Sequence, residues 1–403
     1  MSVKVLMVSD VYFPRINGVS TSIQTFRDGL GALGVASTLV APAYPVANAG
    51  AGAPDRDIVR IPSLRVPLDP EDRCMRRGAI DALLPRLAGE GYGAVHIQTP
   101  FVAHYAGVAL AQRLGVPALA SYHTFFEEYL FHYFPFAPRN WMRALARRFS
   151  RAQCNDLDAI VVPSTPMRDA LLRYGVTARM EILPTGLPDS AFLRVDGTRF
   201  RARHGIAAQR RVALFVGRVA HEKNIAFLLH AIDRVRLREP AVLLVIAGEG
   251  PALPALRRLA ARLGLGGHVL FVGYLERARE LPDCYCAADA FVFASRTETQ
   301  GLVILEAMAL SVPVVSTAVM GTLDVVGPRR GALVPADDEA QFAAALETLL
   351  GDAELHARLS REARAYAGEW RAAAMAGRLA AMYRSLGAGR APVSMPQPLR
   401  HAG

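Results

Sequence analysis

Short continuous apolar runs alternate with segments of helical periodicity along most of this 403-residue chain. Such runs are typical of parallel strands that are covered on both faces by helices. The alternation occurs twice, and the chain is long for one hydrophobic core. We therefore predict an α/β protein with two doubly wound, Rossmann-like domains that face a cleft.

The predicted elements follow this alternation. Strands are expected at 3–9, 36–41, 94–98, 118–122, 159–163, 180–183, 211–216, 242–247, 269–272, 290–294 and 312–316. Helices are expected at 20–33, 103–114, 141–152, 166–174, 224–237, 252–263, 300–310 and 339–350. Because crevices open at the carboxyl ends of parallel strands, a ligand is expected between the two domains.

The domain boundary is predicted between Pro184 and Gly205, a stretch that begins with the turn-rich segment Thr185-Gly-Leu-Pro-Asp-Ser190. This gives an N-terminal domain over 1–190 and a C-terminal domain over 191–369. The helices from about 352 to 386 have no strand after them, so a helix at about 370–386 is expected to cross back onto the first domain. Residues 387–403 are rich in Gly and Pro and are predicted to be a disordered tail.

Composition points to an anionic partner. The formal net charge is +10 and the pI is about 9.8, which suits phosphates or acidic lipid head groups. No nucleic-acid motif is present, so nucleic acid is not expected. The four cysteines form no Cys-x-x-Cys and are interpreted as reduced. The chain runs directly into a strand, so no signal peptide is expected and the location is predicted to be cytoplasmic. The apolar stretch 302–320 holds a glutamate and a proline and is predicted to be a buried helix and strand, not a membrane span.

Two carboxylates, Glu298 and Glu306, stand with seven residues between them in Ser295-Arg-Thr-Glu-Thr-Gln-Gly-Leu-Val-Ile-Leu-Glu306. The N-terminus of the helix predicted there offers main-chain amides to an anion. Carboxylates accept hydrogen bonds from vicinal hydroxyls, as sugars and ribose present them. The alternative is that Glu298 caps the helix and Glu306 is solvated. An isolated carboxylate in so apolar a helix is costly, which favours a binding role.

Two cations, Arg218 and Lys223, lie in Gly217-Arg-Val-Ala-His-Glu-Lys-Asn224 after an apolar strand. Lys223 is one of only two lysines among 46 basic residues. Gly217 lets the backbone approach a ligand closely. Two cations here can neutralise a diphosphate and stabilise it as a leaving group. The alternative is a surface turn with ordinary salt bridges.

The first domain contributes two candidates. Gly18, in Asn17-Gly-Val-Ser20, stands at a strand-to-helix turn that can bring amides to a phosphate or let an acceptor pass. The segment is not Gly-x-Gly-x-x-Gly, so the dinucleotide fingerprint is absent. His123 ends a predicted strand and is expected to point into the cleft, although a structural role is the common one for such a histidine.

Two Asp-x-Asp pairs have a spacing that could hold a divalent metal on a diphosphate. They are Asp55-Arg-Asp57 and Asp156-Leu-Asp158. Neither follows a buried strand, so no metal ion and no cofactor are expected.

A basic amphipathic helix follows an aromatic loop at 125–136. Arg139, Arg143, Arg147 and Arg151 recur every fourth residue, and Trp141 lies on the same helix. This pattern is typical of attachment to an anionic membrane surface. The alternative is a domain helix with apolar residues inward and arginines in solvent.

These residues resemble the retaining glycosyltransferases of family 4, which have the two-domain GT-B architecture, and the resemblance covers the chain to about residue 384. It implies that Arg218 and Lys223 hold the donor diphosphate, Glu306 the ribose and Glu298 the sugar hydroxyls. Gly18 would contact phosphate, and His123 would approach the sugar near the reaction centre. The residues implied to line the phosphate and sugar are Gln300, Gly301, Leu302 and Val303.

Within this family the motifs Ser-Tyr-His-Thr, Leu-Pro-Thr-Gly and Thr-Glu-Thr-Gln-Gly look most like the branch that glycosylates diacylglycerol. Thr185 departs from the family, which places Asn there, so it is given no role. The implied reaction moves a hexose from a nucleotide diphosphate sugar to an acceptor hydroxyl with retained configuration. UDP is favoured and GDP stays open, since base choice rests on the loop around Gly273.

Alternatives to a peripheral lipid glycosyltransferase on the inner membrane face stay open at this point. One is a soluble glycosyltransferase for a polysaccharide or small sugar, with GDP-mannose as a possible donor. Another is a nucleotide-sugar epimerase of the same architecture, and a third is a non-catalytic nucleotide-sugar binder.

Overall fold

We describe a computed structural model of the protein. It describes residues 3–15, 17–45, 57–66, 69–123, 139–277 and 279–388. The strands are β1 (Lys4–Val8), β2 (Ala36–Pro42), β3 (Ile58–Ile61), β4 (Ser63–Val66), β5 (Asp69–Met75), β6 (Tyr92–Ile97), β7 (Ala118–Ser121), β8 (Ala159–Val162), β9 (Arg179–Ile182), β10 (Arg211–Val216), β11 (Val242–Ala247), β12 (Val269–Gly273), β13 (Ala290–Phe293), β14 (Val314–Ser316) and β15 (Ala332–Leu333).

Helices connect the strands. They are α1 (Gly18–Ala32), α2 (Arg77–Asp81), α3 (Leu84–Ala88), α4 (Val102–Leu114), α5 (Arg139–Asn155), α6 (Thr165–Arg173), α7 (Thr198–Arg203), α8 (Ile225–Val235), α9 (Leu253–Arg262), α10 (Glu280–Cys286), α11 (Leu302–Ala309), α12 (Thr322–Val326), α13 (Glu339–Gly351), α14 (Ala353–Ala367) and α15 (Ala372–Ala388). Short 3-10 turns occupy Asp189–Phe192, His221–Lys223 and Gly368–Trp370.

The chain divides into two compact units. Unit 1 comprises Met1–Val162, Leu171–Leu183 and the segment from Ala376 onward, and unit 2 comprises Pro163–Ala170 and Pro184–Met375. The boundary therefore falls before 184, whereas the sequence placed it at 190–191. Leu187 explains the difference: its amide donates to the carbonyl of Trp370 at 2.7 Å, and its carbonyl accepts from Ala372 at 2.8 Å, both within unit 2.

Unit 1 contains a seven-stranded sheet in the order β3-β2-β1-β6-β7-β8-β9, with parallel neighbours throughout. β1 lies inside it, with Val5 opposite Ser37 on one side and Ala94 on the other. Val5 and Val8 are fully buried, as expected for a strand covered on both faces. β4 and β5 form a separate antiparallel pair.

Unit 2 contains a six-stranded parallel sheet in the order β12-β11-β10-β13-β14-β15. All of β11 is buried, and the rings of Phe215 and Phe293 stack at 5.8 Å between β10 and β13. The carboxyl ends of β10 and β13 lead into the segments that hold Lys223 and Glu298, so the sheet brings two distant parts of the sequence to one edge.

The predicted fold class, two parallel α/β domains, is confirmed. Each strand and helix predicted from periodicity is present, with ends displaced by three residues at most. The sequence missed β3, the β4–β5 pair, β15 and the helices α2, α3, α7, α10 and α12. Apart from β5 these elements are short, so periodicity cannot reveal them, and α10 also contains a proline. β5 is as long as β2, but its sequence Asp-Pro-Glu-Asp-Arg-Cys-Met is mostly polar and shows no apolar run.

The C-terminal segment differs in part from its prediction. α15 continues to Ala388, so residues 387 and 388 are helical rather than tail. The described residues 376–388 group with unit 1. Residues 389–403 lie outside the described part. No described helix is both long enough and apolar enough to cross a membrane.

Candidate active site

The first cation–carboxylate pair of the site joins Lys223 to Glu298. Lys223 Nζ lies 2.7 Å from Glu298 Oε2, and both side chains are about one-fifth exposed. Burial alone would raise the pKa of Glu298. The ammonium of Lys223 and the main-chain amides of Gly301 and Gln300 outweigh burial and hold this pKa below its usual value. Glu298 is therefore ionised at neutral pH beside a cation.

The turn that carries Lys223 is fixed by its contacts with the neighbouring strand ends. Asn224 adopts a left-handed conformation with φ of 55°, and its side-chain amide donates to the carbonyl of Ala294 at 3.2 Å. Lys223 ends a 3-10 turn, and α8 begins at Ile225, one residue after its predicted start. The bond to Ala294 places the ammonium beside the loop that follows β13.

Two glycines after β11 permit a close approach of two loops. A Cβ at Gly248 would lie 2.0 Å from the carbonyl oxygen of Gly217, and one at Gly250 would lie 2.4 Å from that of Val219. Their φ values, 137° and 158°, also favour glycine. The amide of Val219 donates to the main-chain carbonyl of Glu249 at 2.8 Å. This packing supports the segment of Arg218, whose exposed side chain makes no ion pair within the described residues.

The N-terminal end of α11 is differently arranged from its prediction. The helix begins at Leu302, two residues later than predicted, so Glu306 is its fifth residue and lies about 6 Å along the axis from its start. Gly301, with φ of 87°, directs its amide to Glu298. It is therefore not free for an anion, whereas Leu302 and Val303 are partly exposed at the first turn.

Gln300 is buried and bound to the main chain. Its Nε2 donates to the carbonyl of Thr185 at 2.7 Å, and its Oε1 accepts from the amide of Thr185 at 2.8 Å. The side-chain amide has one hydrogen and one lone pair left for a ligand. Thr185, which the sequence left without a role, thus fixes the orientation of Gln300.

Glu306 is 8% exposed and has two partners. Arg277 donates to its Oε1, and the hydroxyl of Tyr285 donates to its Oε2 at 3.0 Å. Tyr285 is buried, and burial together with the charge of Glu306 raises its pKa well above the ordinary value. Arg277 is 45% exposed, so Glu306 has an exposed partner on one carboxylate oxygen and a buried partner on the other.

Gly273 ends β12 next to these groups. Its φ is 73°, its carbonyl accepts from the amide of Gly248 at 2.8 Å, and Tyr274 after it is exposed. Unit 2 therefore places Arg218, Lys223, Gly273 and Glu298 at or just after the carboxyl ends of its strands, and Glu306 in the helix that follows β13.

His123 follows β7 in unit 1. Its Nε2 lies 3.2 Å from Oε1 of Gln98, which follows β6. Because an amide oxygen only accepts, Nε2 carries the proton. Burial lowers the pKa of His123 to about 4, so the imidazole is neutral at pH 7.

Gly18 is the first residue of α1. Asn17 caps this helix, since its Oδ1 accepts from the amide of Ser20 at 2.8 Å. Gly18 is exposed, and a Cβ there would meet nothing within 4 Å in the described structure. Its small size keeps the helix N-terminus open.

Asp10 is a further buried carboxylate of unit 1, and the sequence analysis did not select it. It follows β1, accepts from the hydroxyl of Thr99 at 2.8 Å, and accepts from the amide of Ala103 at the start of α4. Burial raises its pKa to about 6, although Thr99 and three amides lower it. Asp10 holds α4 to the edge where Gln98 and His123 lie.

The Asp-x-Asp segments show no metal cluster. Asp158 accepts from the amide of Ala118 at 2.9 Å, which is a structural bond. Asp55 lies outside the described residues. No group of three or more His, Cys, Asp or Glu side chains that could hold a metal occurs in the part the structure describes.

The basic helix α5 has one buried and one exposed face. Met142 and Ala146 are buried, whereas Trp141 is 61% and Leu145 43% exposed. The exposed arginines are Arg143, Arg147, Arg148 and Arg151. Arg147 also stacks over Tyr174 at 5.5 Å. The helix extends from Arg139, whose side chain is outside the described set, as is the aromatic loop.

Two family models match the chain. "Glycosyltransferase Family 4" matches residues 16–190 and "Glycosyl transferases group 1" matches residues 196–366. The chain superposes on Anabaena HepE in complex with UDP with a TM-score of 0.76, covering 95% of this chain and all of that one at 16% identity, which shows the fold. These matches define a glycosyltransferase with the GT-B fold.

The relatives narrow the class. The chain is 32% identical to the alpha-monoglucosyldiacylglycerol synthase of Streptococcus pneumoniae over 317 residues, which are 77% of this chain and 70% of that protein. It is 28% identical to the enzyme of the same name from Acholeplasma laidlawii, over 76% of this chain and 78% of that protein. The chain therefore belongs to glycosyltransferase family 4, and the predicted family is confirmed.

Sequence reasoning missed four supporting side chains: Asp10, Gln98, Arg277 and Tyr285. Each contacts its partner across a long stretch of sequence, and none stands in a motif of recognisable spacing. The close contact between the loops after β10 and β11 was also missed, although the sequence offers a signal for it. Gly248-Glu-Gly250 directly follows an apolar strand, which indicates a close backbone approach.

Proposed function

We propose that this glycosyltransferase moves a hexose from a UDP-sugar to the hydroxyl of diacylglycerol, with retained configuration. The observation that carries the proposal is the ionised Glu298 held by Lys223 beside the start of α11, in a chain similar to two enzymes named alpha-monoglucosyldiacylglycerol synthase. A carboxylate in this position suits sugar hydroxyls, and the neighbouring cations suit a diphosphate.

In the proposed reaction the bond between sugar C1 and the diphosphate oxygen breaks, and a bond from C1 to the acceptor oxygen forms on the same face. The acceptor proton passes to the departing diphosphate. Arg218 and two unused donors of the Lys223 ammonium would stabilise the negative charge that develops there. Because two cations supply this charge, the reaction is proposed to need no metal.

The remaining residues are assigned to binding. Glu306, whose Oε2 is fixed by Tyr285, would accept from the ribose, and Arg277 would give way on Oε1. Leu302 and Val303 would present amides to phosphate, and the loop at Gly273 would lie at the base. In unit 1, neutral His123, whose single N–H is directed at Gln98, would accept a hydrogen bond from a sugar hydroxyl at Nδ1. Gly18 would leave α1 accessible to phosphate.

The acceptor side of the proposal includes a membrane surface. Trp141, Leu145 and Arg148 lie three or four residues apart and share one exposed face of α5. Aromatic and aliphatic side chains flanked by arginines are typical of interfacial binding to anionic lipid. The exposed face of α5 is therefore proposed to rest on the anionic surface from which diacylglycerol is drawn.

Nucleotide release tests the chemistry. The protein is incubated with UDP- and GDP-sugars, with and without diacylglycerol in anionic vesicles, and with or without EDTA. The proposal expects release from a UDP-sugar that requires diacylglycerol, resists EDTA and disappears in Glu298→Ala. Release from GDP-mannose instead of a UDP-sugar would contradict the proposed donor. Release that needs only a soluble sugar would contradict diacylglycerol as the acceptor.

Vesicle co-sedimentation tests the membrane surface. Trp141→Ala/Leu145→Ala is expected to lose binding to phosphatidylglycerol vesicles. The control is Leu237→Ala/Leu323→Ala, which removes two exposed leucines of unit 2. Equal binding of the two double variants would reject α5 as the membrane contact.

A further inference from the structure

A cavity of about 550 Å³ in unit 2 lies apart from the Lys223–Glu298 pair. Its walls include Phe192, Ser360 and four arginines, which are Arg194, Arg361, Arg364 and Arg371. We call it the arginine cavity. It lies near the C-terminal end of α11, whereas Glu298 precedes the N-terminal end of the same helix, so the two sites are at opposite ends of α11.

Most of the positive charge in this cavity has no carboxylate partner. Arg364 donates to the carbonyls of Ala309 at 2.8 Å and Phe192 at 3.0 Å, and both acceptors are neutral. Arg194 and Arg361 make no ion pair within the residues the structure describes. Arg371 alone pairs with an acid, the exposed Asp189.

The nearby acids of α14 and the turn after it do not compensate this charge. Glu362 pairs with Arg358, and Glu369 pairs with Arg330. Four arginines therefore line the cavity, and among the described residues one of them, Arg371, is paired with a carboxylate. Like charges repel, so the arrangement is favourable when an anion lies among them.

The geometry of the walls suits a phosphate group. The Arg371 guanidinium stacks 4.3 Å above the ring of buried Phe192, which orients its plane. The hydroxyl of Ser360 is buried and makes no hydrogen bond with any described group. Planar guanidinium groups bind phosphate oxygens in pairs, and a cavity of this size is in the range of small-ligand sites.

We infer that the arginine cavity is a second anion site that binds a phosphate-bearing ligand, separate from the donor site. The shared chemistry is a phosphate or diphosphate group, which a soluble phosphorylated compound or a phospholipid head group can supply. The inference goes beyond the proposed function, because it uses none of the residues assigned to the donor.

Calorimetric titration with inorganic pyrophosphate tests the inference on the full chain. Every protein carries Arg218→Ala, which weakens binding at the donor site. In this background Arg194→Ala/Arg361→Ala is expected to weaken pyrophosphate binding about tenfold or more, because each lost charged contact is worth about one order of magnitude. The matched control is Arg258→Ala/Arg262→Ala, which removes from α9 of the same unit two exposed arginines that form no ion pair with any described residue. Its affinity should stay within about twofold of the background protein.

Two results would overturn the inference: equal affinity of both double variants, or no binding once Arg218 is replaced. A footprint on the unmodified protein guards against misfolding of a variant. Pyrophosphate should slow the reaction of phenylglyoxal with Arg194 and Arg361 but not with Arg258 and Arg262, and uniform reaction rates would contradict the inference.

Vesicles identify the source of the phosphate. If Arg194→Ala/Arg361→Ala also loses binding to phosphatidylglycerol vesicles, the ligand is a lipid head group. If it binds vesicles like the control and has lost only pyrophosphate, the ligand is a soluble phosphorylated compound. No activity is measured, so the outcome does not depend on the proposed reaction.

Discussion

Two carboxylates that follow parallel strands, the partly buried Glu298 in unit 2 and the buried Asp10 in unit 1, have pKa values that are shifted in opposite directions. The pKa of Glu298 is lowered although burial opposes ionisation, because the ammonium of Lys223 lies 2.7 Å away. The pKa of Asp10 is raised to about 6, because the groups that stabilise its charge are a hydroxyl and amides. A full positive charge overcomes burial, whereas neutral donors reduce its effect only in part.

The difference separates two roles. Glu298 keeps its charge at any pH at which the enzyme is expected to work, which suits a group that binds sugar hydroxyls. Both carboxylate oxygens of Asp10 accept hydrogen bonds, from the hydroxyl of Thr99 and from the amide of Ala103 at the start of α4, which suits a structural role.

Removal of the Lys223 ammonium should abolish the difference between the pKa shifts of Glu298 and Asp10, and it should have the largest effect on activity. Lys223→Met leaves Glu298 buried without a counter-charge and removes a donor from the diphosphate. We expect kcat/KM to fall by about 100-fold to 1,000-fold, and the pKa of Glu298 to rise. Nucleotide release as a function of pH measures both. Lys223→Arg, which keeps the charge, should lose less; equal losses in the two variants would show that charge is not the cause.

The second prediction concerns Asp10 and the stability of unit 1. Its pKa is about 6 in the folded protein and near 3.8 when unfolded, so the folded state takes up a proton first as the pH falls. The contribution of Asp10 to the free energy of unfolding should therefore be absent above pH 6 and increase as the pH falls from 6 to 4. The full change in this free energy is about 3 kcal/mol.

Calorimetry of wild type and Asp10→Asn from pH 4 to pH 7 checks the sign. All other groups titrate alike in the two proteins, so the difference in Tm isolates Asp10. The Tm of wild type should increase relative to that of Asp10→Asn as the pH falls. A constant difference across this range would mean that Asp10 titrates normally.

The sequence predicts much of the fold and part of the site, for physical reasons that the two carboxylates illustrate. β10 and β11 are continuous apolar runs, so their strand character is local information. The spacing of Glu298 and Glu306 is also local, and the chemistry of a buried carboxylate made both residues candidates. Asp10 is a single acid after a strand, and no spacing distinguishes it from a surface residue.

The partners of these groups could not be predicted, because they come from elsewhere in the chain. Lys223 and Glu298 were expected in the same pocket, but the hydrogen bond between them depends on the turn at Asn224. Tyr285 lies in α10, which is too short for its periodicity to show. Contacts that form only after the sheet has assembled leave no local pattern.

The third prediction extends the comparison to Glu306, which combines the two kinds of partner. It has one exposed cation, Arg277, and one buried neutral donor, Tyr285. Tyr285→Phe removes the hydroxyl and should raise the KM for the donor about fivefold with kcat nearly unchanged, because the hydroxyl orients a binding group. Initial rates over a range of donor concentrations measure the split. A fall in kcat without a change in KM would contradict a binding role for Tyr285. Arg277→Lys is the comparison variant, because it changes the partner of the other carboxylate oxygen of Glu306 and keeps the positive charge.

The last prediction concerns a variant that introduces a cation–carboxylate pair into unit 1, like the Lys223–Glu298 pair of unit 2. Burial lowers the pKa of His123 to about 4, so wild-type kcat/KM should show no titration of this histidine between pH 5.5 and pH 8. Gln98→Glu replaces the amide oxygen 3.2 Å from Nε2 by a carboxylate, which favours the imidazolium and raises the pKa of His123. Activity at pH 8 should stay within about twofold of wild type, and a new acid limb should appear as the pH falls. The same limb in Gln98→Leu, which adds no charge, would contradict this account, because only a counter-charge can offset burial in the way that Lys223 does for Glu298.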